Sequence, residues 1–226
     1  VIDTGFDFKG KWDIQPKICP TGHKDLTGQG LQDVNGHGTH IAGLIAKYAG
    51  DADYCLVIIK FFHNDLVKGD TLQASIDAIN HAVDQKVDII NLSMGGVGYS
   101  NSEYKAVKRA LDDDITIIAA AGNEGKDFKK QPYYPALYDD RIIVVAAVDK
   151  RMKRMPSSNY GVQVDAYELG ENVLSTMPHN SYGHLTGTSQ ATAIHTGKFV
   201  QHLYKVKKLY DYVAPKYLKK RTLIVA

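Results

Sequence analysis

The chain has 226 residues, of which 44% are apolar and 23% charged, with 27 basic and 25 acidic side chains and a formal net charge of +2. That length suits one sizeable α/β core, and the near-balance of charge gives no electrostatic ground for a nucleic-acid or anionic-membrane partner. No apolar run approaches the roughly 18 residues needed to span a bilayer, and two cysteines, Cys19 and Cys55, exclude a disulfide scaffold.

VIDTG (1–5) reads as the end of a buried strand, so residues ahead of it are expected. Two free buried thiols are expected at Cys19 and Cys55, with a single bridge as the alternative. Cys19 with His23 has no second Cys or His cluster to complete a zinc site. A helix follows over 37–48, with Ile41, Leu44, Ile45 and Tyr48 on one face. CLVIIKFF (55–62) is a β-branched, nearly continuous apolar run, as in a strand buried on both faces. Leu72, Ile76, Ile79 and Val83 mark a helix over 72–85. VDIINLSM (87–94) is the next strand. Tyr104, Val107 and Leu111 mark a helix over 102–113. ITIIAAA (115–121) and RIIVVAAV (141–148) are strands, and QPYYPALYDD (131–140) is a loop. A short apolar and aromatic segment at 182–187 precedes the last helix, 189–206. The basic tail KVKKLYDYVAPKYLKKRTLIVA (205–226) reads as a solvated terminal surface. Strands alternating with helices predict one α/β domain over 1–226, a doubly wound, mostly parallel sheet with helices on both faces.

In such sheets, chemistry gathers at the carboxyl ends of strands. Asp3 follows a strand end, Asn123 follows the strand 115–121, and His37 and Ser189 open helices. Taken singly, Asp3 is a turn former, His37 a packing residue, Asn123 a turn and Ser189 a helix N-cap. His40, one turn further on, reads as a satisfied core histidine. Taken together, an acid, a base and a hydroxyl each stand at a Gly-rich element end, and Asn123 adds a donor for a developing oxyanion.

VIDTG, NGHGTHIAG, NLSMGG, AAAGNEG, YPA and GTSQATA resemble, in order and spacing, the motifs of the subtilisin-like serine proteases. The resemblance implies a serine endopeptidase acting through an acyl-enzyme. Ser189 would be the nucleophile, His37 the base and Asp3 its orienting acid, with Asn123 and the Ser189 N–H as oxyanion donors. It further implies Ser93, Met94 and Gly95 as one wall of the primary pocket, Ala120, Ala121 and Gly122 as the other, and Leu72 over a more distant apolar subsite. An extended polypeptide would be the substrate. No cofactor or catalytic metal is implied. A propeptide, a monomeric state and secretion are the family expectations.

The pattern departs from the family in places. GTSQATAI replaces the usual GTSMASPH, placing Gln190, Ala193 and Ile194 in the last helix. AYELG (166–170) replaces an Ala-Pro-Gly loop. AGDADY (49–54) is too short for the calcium-wrapping loop of many members, so no calcium is expected there, and Asp51 and Asp53 read as turn carboxylates. The usual segment ahead of the Asp3 strand is not in the sequence, which predicts an exposed strand edge. His184 and His195 lack an acid in the pattern and are not expected to act as base. The rival readings are a pseudoprotease kept for binding, and a nucleotide-binding protein. The second fails because MGGVGYS (94–100) meets no phosphate-loop spacing. Glu124 and Asp127 leave room for a secondary basic preference.

Overall fold

The computed structural model describes residues 1–63, 71–213 and 222–226, with the side chains of 210–213 excepted. Its centre is a parallel sheet. β1 (Ile2–Asp3) lies between β4 (Ile59–Lys60) and β5 (Ile89–Leu92), and β2 (Lys24–Asp25) flanks β4. Beyond β5 the order continues through β6 (Thr116–Ala120), β7 (Ile143–Val148) and β8 (Ala166–Leu169). β3 (Tyr54–Leu56) and β11 (Leu223–Val225) join on the other side of β5. All of these pairings are parallel.

Helices cover both faces, as the alternating pattern requires. α2 (Thr71–Asp84) and α3 (Asn101–Asp112) pack together on one face, around Ile79, Val107, Ile90 and Ile117. α1 (His37–Ala49) and α4 (Thr188–Val213) pack together on the other, around Leu44, Ile45, Val200 and Ile118. Gly197 makes the second contact possible, because a Cβ there would sit 2.7 Å from the Ile45 carbonyl oxygen. The predicted doubly wound α/β architecture is the one observed.

Several boundaries differ from expectation. The apolar run 55–62 is divided between β3 and β4. AYEL within AYELG forms the edge strand β8, whose residues are only partly buried and so need no long apolar run. Residues 173–185 form a separate antiparallel hairpin, β9 (Val173–Met177) with β10 (Ser181–Leu185). The tail was expected to be a solvated surface, yet Leu223–Val225 is an inner strand; residues 214–221 of that tail lie outside the described residues. β1 is consequently not an exposed edge: it has a neighbour on each side.

The expected free thiols are also corrected. Cys19 and Cys55 form a disulfide. Cys19 donates its backbone N–H to the Leu56 carbonyl, which lays its segment beside β3 and brings the two side chains together. His23 is occupied in the same region: Nε2–H donates to the Cys19 carbonyl and Nδ1 accepts the Ile58 N–H.

Candidate active site

A cavity of about 600 Å³ opens at the carboxyl ends of the central strands, and Asp3, His37, Asn123 and Ser189 all line it. Four positions up to 186 residues apart in sequence are therefore neighbours, because β1, β6 and the first turns of α1 and α4 end at one edge of the sheet.

Asp3 is buried and faces His37, whose Nδ1 lies 2.7 Å from Asp3 Oδ1 and 2.9 Å from Oδ2. A carboxylate so placed fixes Nδ1 as the protonated nitrogen and leaves Nε2 to accept. Asp3 Oδ1 also accepts the Thr4 N–H at 2.8 Å, so the carboxylate is itself held. Burial pulls the His37 pKa down. The Asp3 charge, the Asp3 hydrogen bond and the Asp33 charge together outweigh burial and leave the pKa above the ordinary 6.5.

The turn that presents His37 depends on a residue not singled out in the sequence. Gly36 stands at the N-cap of α1 with φ 99° and offers no side chain. Buried Asp33 takes over the role. Its Oδ1 accepts from Gly36 N–H and Asn35 N–H, and its Oδ2 from Thr39 N–H and the Thr39 hydroxyl. The Thr4 hydroxyl donates to Oδ1 as well and accepts the Gly38 N–H, which ties α1 to the loop after β1. Gly38 has to be glycine: a Cβ would sit 2.2 Å from the Gly5 carbonyl oxygen. The sequence signal was an Asp three residues ahead of a glycine that begins a helix.

Ser189 is half-buried in the first turn of α4. Its hydroxyl donates to the Ser93 carbonyl at 3.1 Å, and among the described residues no hydrogen bond joins it to His37. Turning χ1 to another staggered well releases it from Ser93, and apo catalytic hydrogen bonds commonly close only with substrate. Asn123 is exposed, and its Oδ1 accepts from the Thr188 N–H at 2.9 Å and the Thr188 hydroxyl at 3.2 Å. That engagement leaves Nδ2 as the end free to donate. The Thr188 hydroxyl in turn accepts the Gly122 N–H. Thr188 thus orients the candidate oxyanion donor.

Of the expected substrate wall, Leu72, Ser93, Met94, Gly95 and Ala120 line the cavity. Gly95 packs against the Tyr133 ring, and Gly96 exchanges two backbone hydrogen bonds with Tyr134, so this segment is strand-like. Ala121 and Gly122 are buried behind the wall, where their carbonyls accept from Asn159. Phe61, Phe62, Tyr134 and Glu103 line the cavity and were not foreseen. Glu103 is buried and accepts from the Ser75 and Tyr138 hydroxyls. Glu124 is outside the lining and accepts from Asn159 Nδ2, and Asp127 lies at a separate depression beside Lys129 and Arg154.

The other candidates are accounted for by local contacts. His40 is buried and its Nε2 donates to the Val173 and Gly183 carbonyls, but Nδ1 has no hydrogen-bond partner among the described residues, so the expected satisfied core histidine is satisfied at one ring nitrogen only. His195 does have an acid close by, Glu168 at 3.5 Å, but neither residue lines the cavity. Asp51 accepts from Gln201 and Asp53 from Thr222. Gln190 is buried with Nε2 unpartnered among the described residues.

With this geometry in place, comparison with known proteins decides the family. A model described as the subtilase family matches residues 1–223. The chain belongs to the subtilase family. The subtilase is 37% identical over 206 residues to the major intracellular serine protease of Bacillus subtilis (strain 168), covering 84% of this chain and 63% of that protein. It is 35% identical over 209 residues to the intracellular serine protease of Paenibacillus polymyxa, covering 85% of this chain and 62% of that protein. The chain thus spans somewhat less than two thirds of these relatives. Among solved structures, a lanthipeptide protease superposes with a TM-score of 0.80 at 20% identity, covering 98% of this chain and 74% of that one, a likeness of fold. The expectation of secretion is overturned: both relatives are named as intracellular proteases.

Proposed function

We propose that this subtilase is a serine endopeptidase that cleaves polypeptides through an acyl-enzyme. The observation that carries the reading is the carboxylate–imidazole pair: Asp3 on His37 Nδ1 in the cavity that also holds Ser189 and Asn123.

Ser189 Oγ attacks the scissile carbonyl while His37 Nε2 takes its proton. The imidazolium formed is stabilised by Asp3 and then delivers the proton to the leaving amine. Water repeats the sequence on the acyl-enzyme with His37 again as base. Asn123 Nδ2 and the Ser189 N–H bind the developing oxyanion, and the positive end of the α4 dipole assists. An extended substrate lies along Ser93–Gly95, whose other side is committed to Tyr134 through Gly96.

One observation favours a binding module with the same fold: the Ser189 hydroxyl rests on Ser93 rather than on His37. Fluorophosphonate labelling followed by peptide mass spectrometry separates the two. One adduct on Ser189, lost in His37→Ala, is expected. A folded protein that takes no label would establish the binding module instead.

A further inference from the structure

Glu103 lines the cavity together with Leu72 and Ser75, which stand one turn apart on α2, and it is only 6% exposed. Its position in α3 suggests an ordinary task. Ser100 is the N-cap and Glu103 the third helical residue, the Ser-x-x-Glu spacing of a capping box. Half of that box is formed, since the Ser100 hydroxyl accepts the Glu103 N–H at 3.3 Å. The other half is not. The Ser100 N–H, which the carboxylate of a full box would cap, donates to the Tyr138 hydroxyl at 3.0 Å. The Glu103 carboxylate is left to the cavity, where Oε1 accepts from the Ser75 hydroxyl at 2.5 Å and Oε2 from the Tyr138 hydroxyl at 2.8 Å.

A carboxylate offers about four acceptor positions. Two hydroxyls fill two of them, and no cation pairs with Glu103 among the described residues. A buried charge without a counter-charge is costly, and the positive end of the α3 dipole offsets only part of that cost. The group is suited to a cation that arrives through the cavity. Leu72 and Met94 line the same cavity and offer apolar surface to the methylene stem of a Lys or Arg.

The wall fixes where along a substrate that cation would stand. Ser93 meets Ser189 through two hydrogen bonds, one to each carbonyl. Gly96, three residues on, pairs with Tyr134, whose ring stacks on that of Tyr138 with centroids 4.7 Å apart. Tyr138 in turn holds Glu103. Three extended residues cover about 10 Å, so an extended peptide reaches Glu103 three residues from the one placed at Ser189.

We propose that Glu103 is a specificity-determining residue that receives a Lys or Arg side chain of the substrate, three residues ahead of the residue whose carbonyl Ser189 attacks. This rests on the endopeptidase reading of the cavity and names the class of polypeptide it takes.

Three peptides test it, identical except at that position, which holds Lys, its uncharged isostere norleucine, or Glu. Cleavage is read as kcat/KM. A hydrogen bond to a charged group predicts that the parent prefers Lys to norleucine by roughly 10- to 100-fold, with Glu poorest. Glu103→Gln is expected to bring the Lys rate down to the norleucine rate, which itself stays unchanged, and Glu103→Asp to retain a preference for Lys. A parent ratio near one overturns the proposal whether or not the variants fold. A Lys preference undiminished in folded Glu103→Gln overturns the residue. Anisotropy of the same peptides, labelled, on Ser189→Ala separates this from the reaction. If the parent cleaves nothing and takes no fluorophosphonate, the endopeptidase reading fails. Tighter binding of the Lys peptide than of the norleucine peptide then upholds the Glu103 subsite, and equal binding overturns it as well.

Discussion

His37 Nδ1 stands 2.7 Å from Asp3 Oδ1, and this one contact sets the tautomer, the ring orientation and the direction of the His37 pKa shift. Because catalysis needs the neutral imidazole and the pKa stands above 6.5, activity is expected to fall as pH drops through a value above 6.5. Asp3→Asn removes the charge that raises the pKa, so the inflection moves to lower pH. It also loses on the order of 10⁴-fold in turnover, a size known from other triad proteases. An inflection that does not move in Asp3→Asn would show that some other group is being titrated.

Asn123 is aimed by Thr188, whose N–H and hydroxyl both donate to Asn123 Oδ1. If Asn123 serves as the proposed oxyanion donor, Asn123→Ala is expected to lower turnover by roughly 100- to 1,000-fold with little change in KM, a magnitude taken from the oxyanion-hole asparagine of subtilisin. Thr188→Val keeps the shape, removes the hydroxyl and should give a smaller loss of the same kind. A Thr188→Val effect on KM alone would mean that the threonine shapes the cleft and does not orient the donor.

The parts legible in the sequence were those written in local pattern. The runs at 87–94, 115–121 and 141–148 are buried on both faces and appear as β5, β6 and β7 close to their expected bounds. Asp3, His37, Asn123 and Ser189 come together because each stood beside a recognisable element end, whereas Ala121 and Gly122 fall behind the cavity wall. What escaped depended on partners distant in sequence. β11 is a strand only because β3 and β5 leave it a lane. β8 is a half-exposed edge with no periodic signal. Asp33 and Thr188 look like ordinary loop and cap residues until Thr39 and Asn123 stand within hydrogen-bond distance. The disulfide likewise needs the Cys19 segment laid along β3, which spacing alone does not reveal.

Asp33 holds the first turn of α1 through two backbone N–H groups on one oxygen and the Thr39 N–H and hydroxyl on the other. Hydrogen bonds to a charged acceptor contribute about 1.5–3 kcal/mol each, and their orphaned donors cost more when buried. Asp33→Ala is therefore expected to lower the unfolding free energy by about 3 kcal/mol or more, and to slow Ser189 labelling by loosening His37. Denaturant titration checks the first effect. A loss near that of an exposed N-cap, about 1 kcal/mol, would mean that solvent replaces the carboxylate at little cost.

The Cys19–Cys55 bridge closes a loop with a sequence separation of 36. Loop-closure entropy for that length gives about 3–4 kcal/mol. Unfolding with and without a strong reductant should differ by that amount, and the Cys19→Ala/Cys55→Ala double variant should match the reduced protein. Equal midpoints in oxidised and reduced samples would remove the bridge from the stability of the fold.

His40 and His37 titrate in opposite senses although one turn of α1 separates them. Burial holds His40 down to about 4, more than its hydrogen bonds to the Val173 and Gly183 carbonyls restore. As pH falls below 6.5 the unfolded chain takes up a proton at His40 and the folded chain does not. Stability should therefore decline between about pH 6.5 and pH 4, by on the order of 3 kcal/mol from this group. His37 works the other way: its raised pKa stabilises the fold below 6.5, and that contribution disappears as pH rises through the folded value. His40→Gln retains a donor towards the two carbonyls and does not titrate. Its unfolding free energy should fall less steeply than the parent's over the window, the difference isolating His40 from every other acid-sensitive group. Parallel slopes would mean that His40 is protonated in the folded state and that the α1–hairpin contact tolerates the charge.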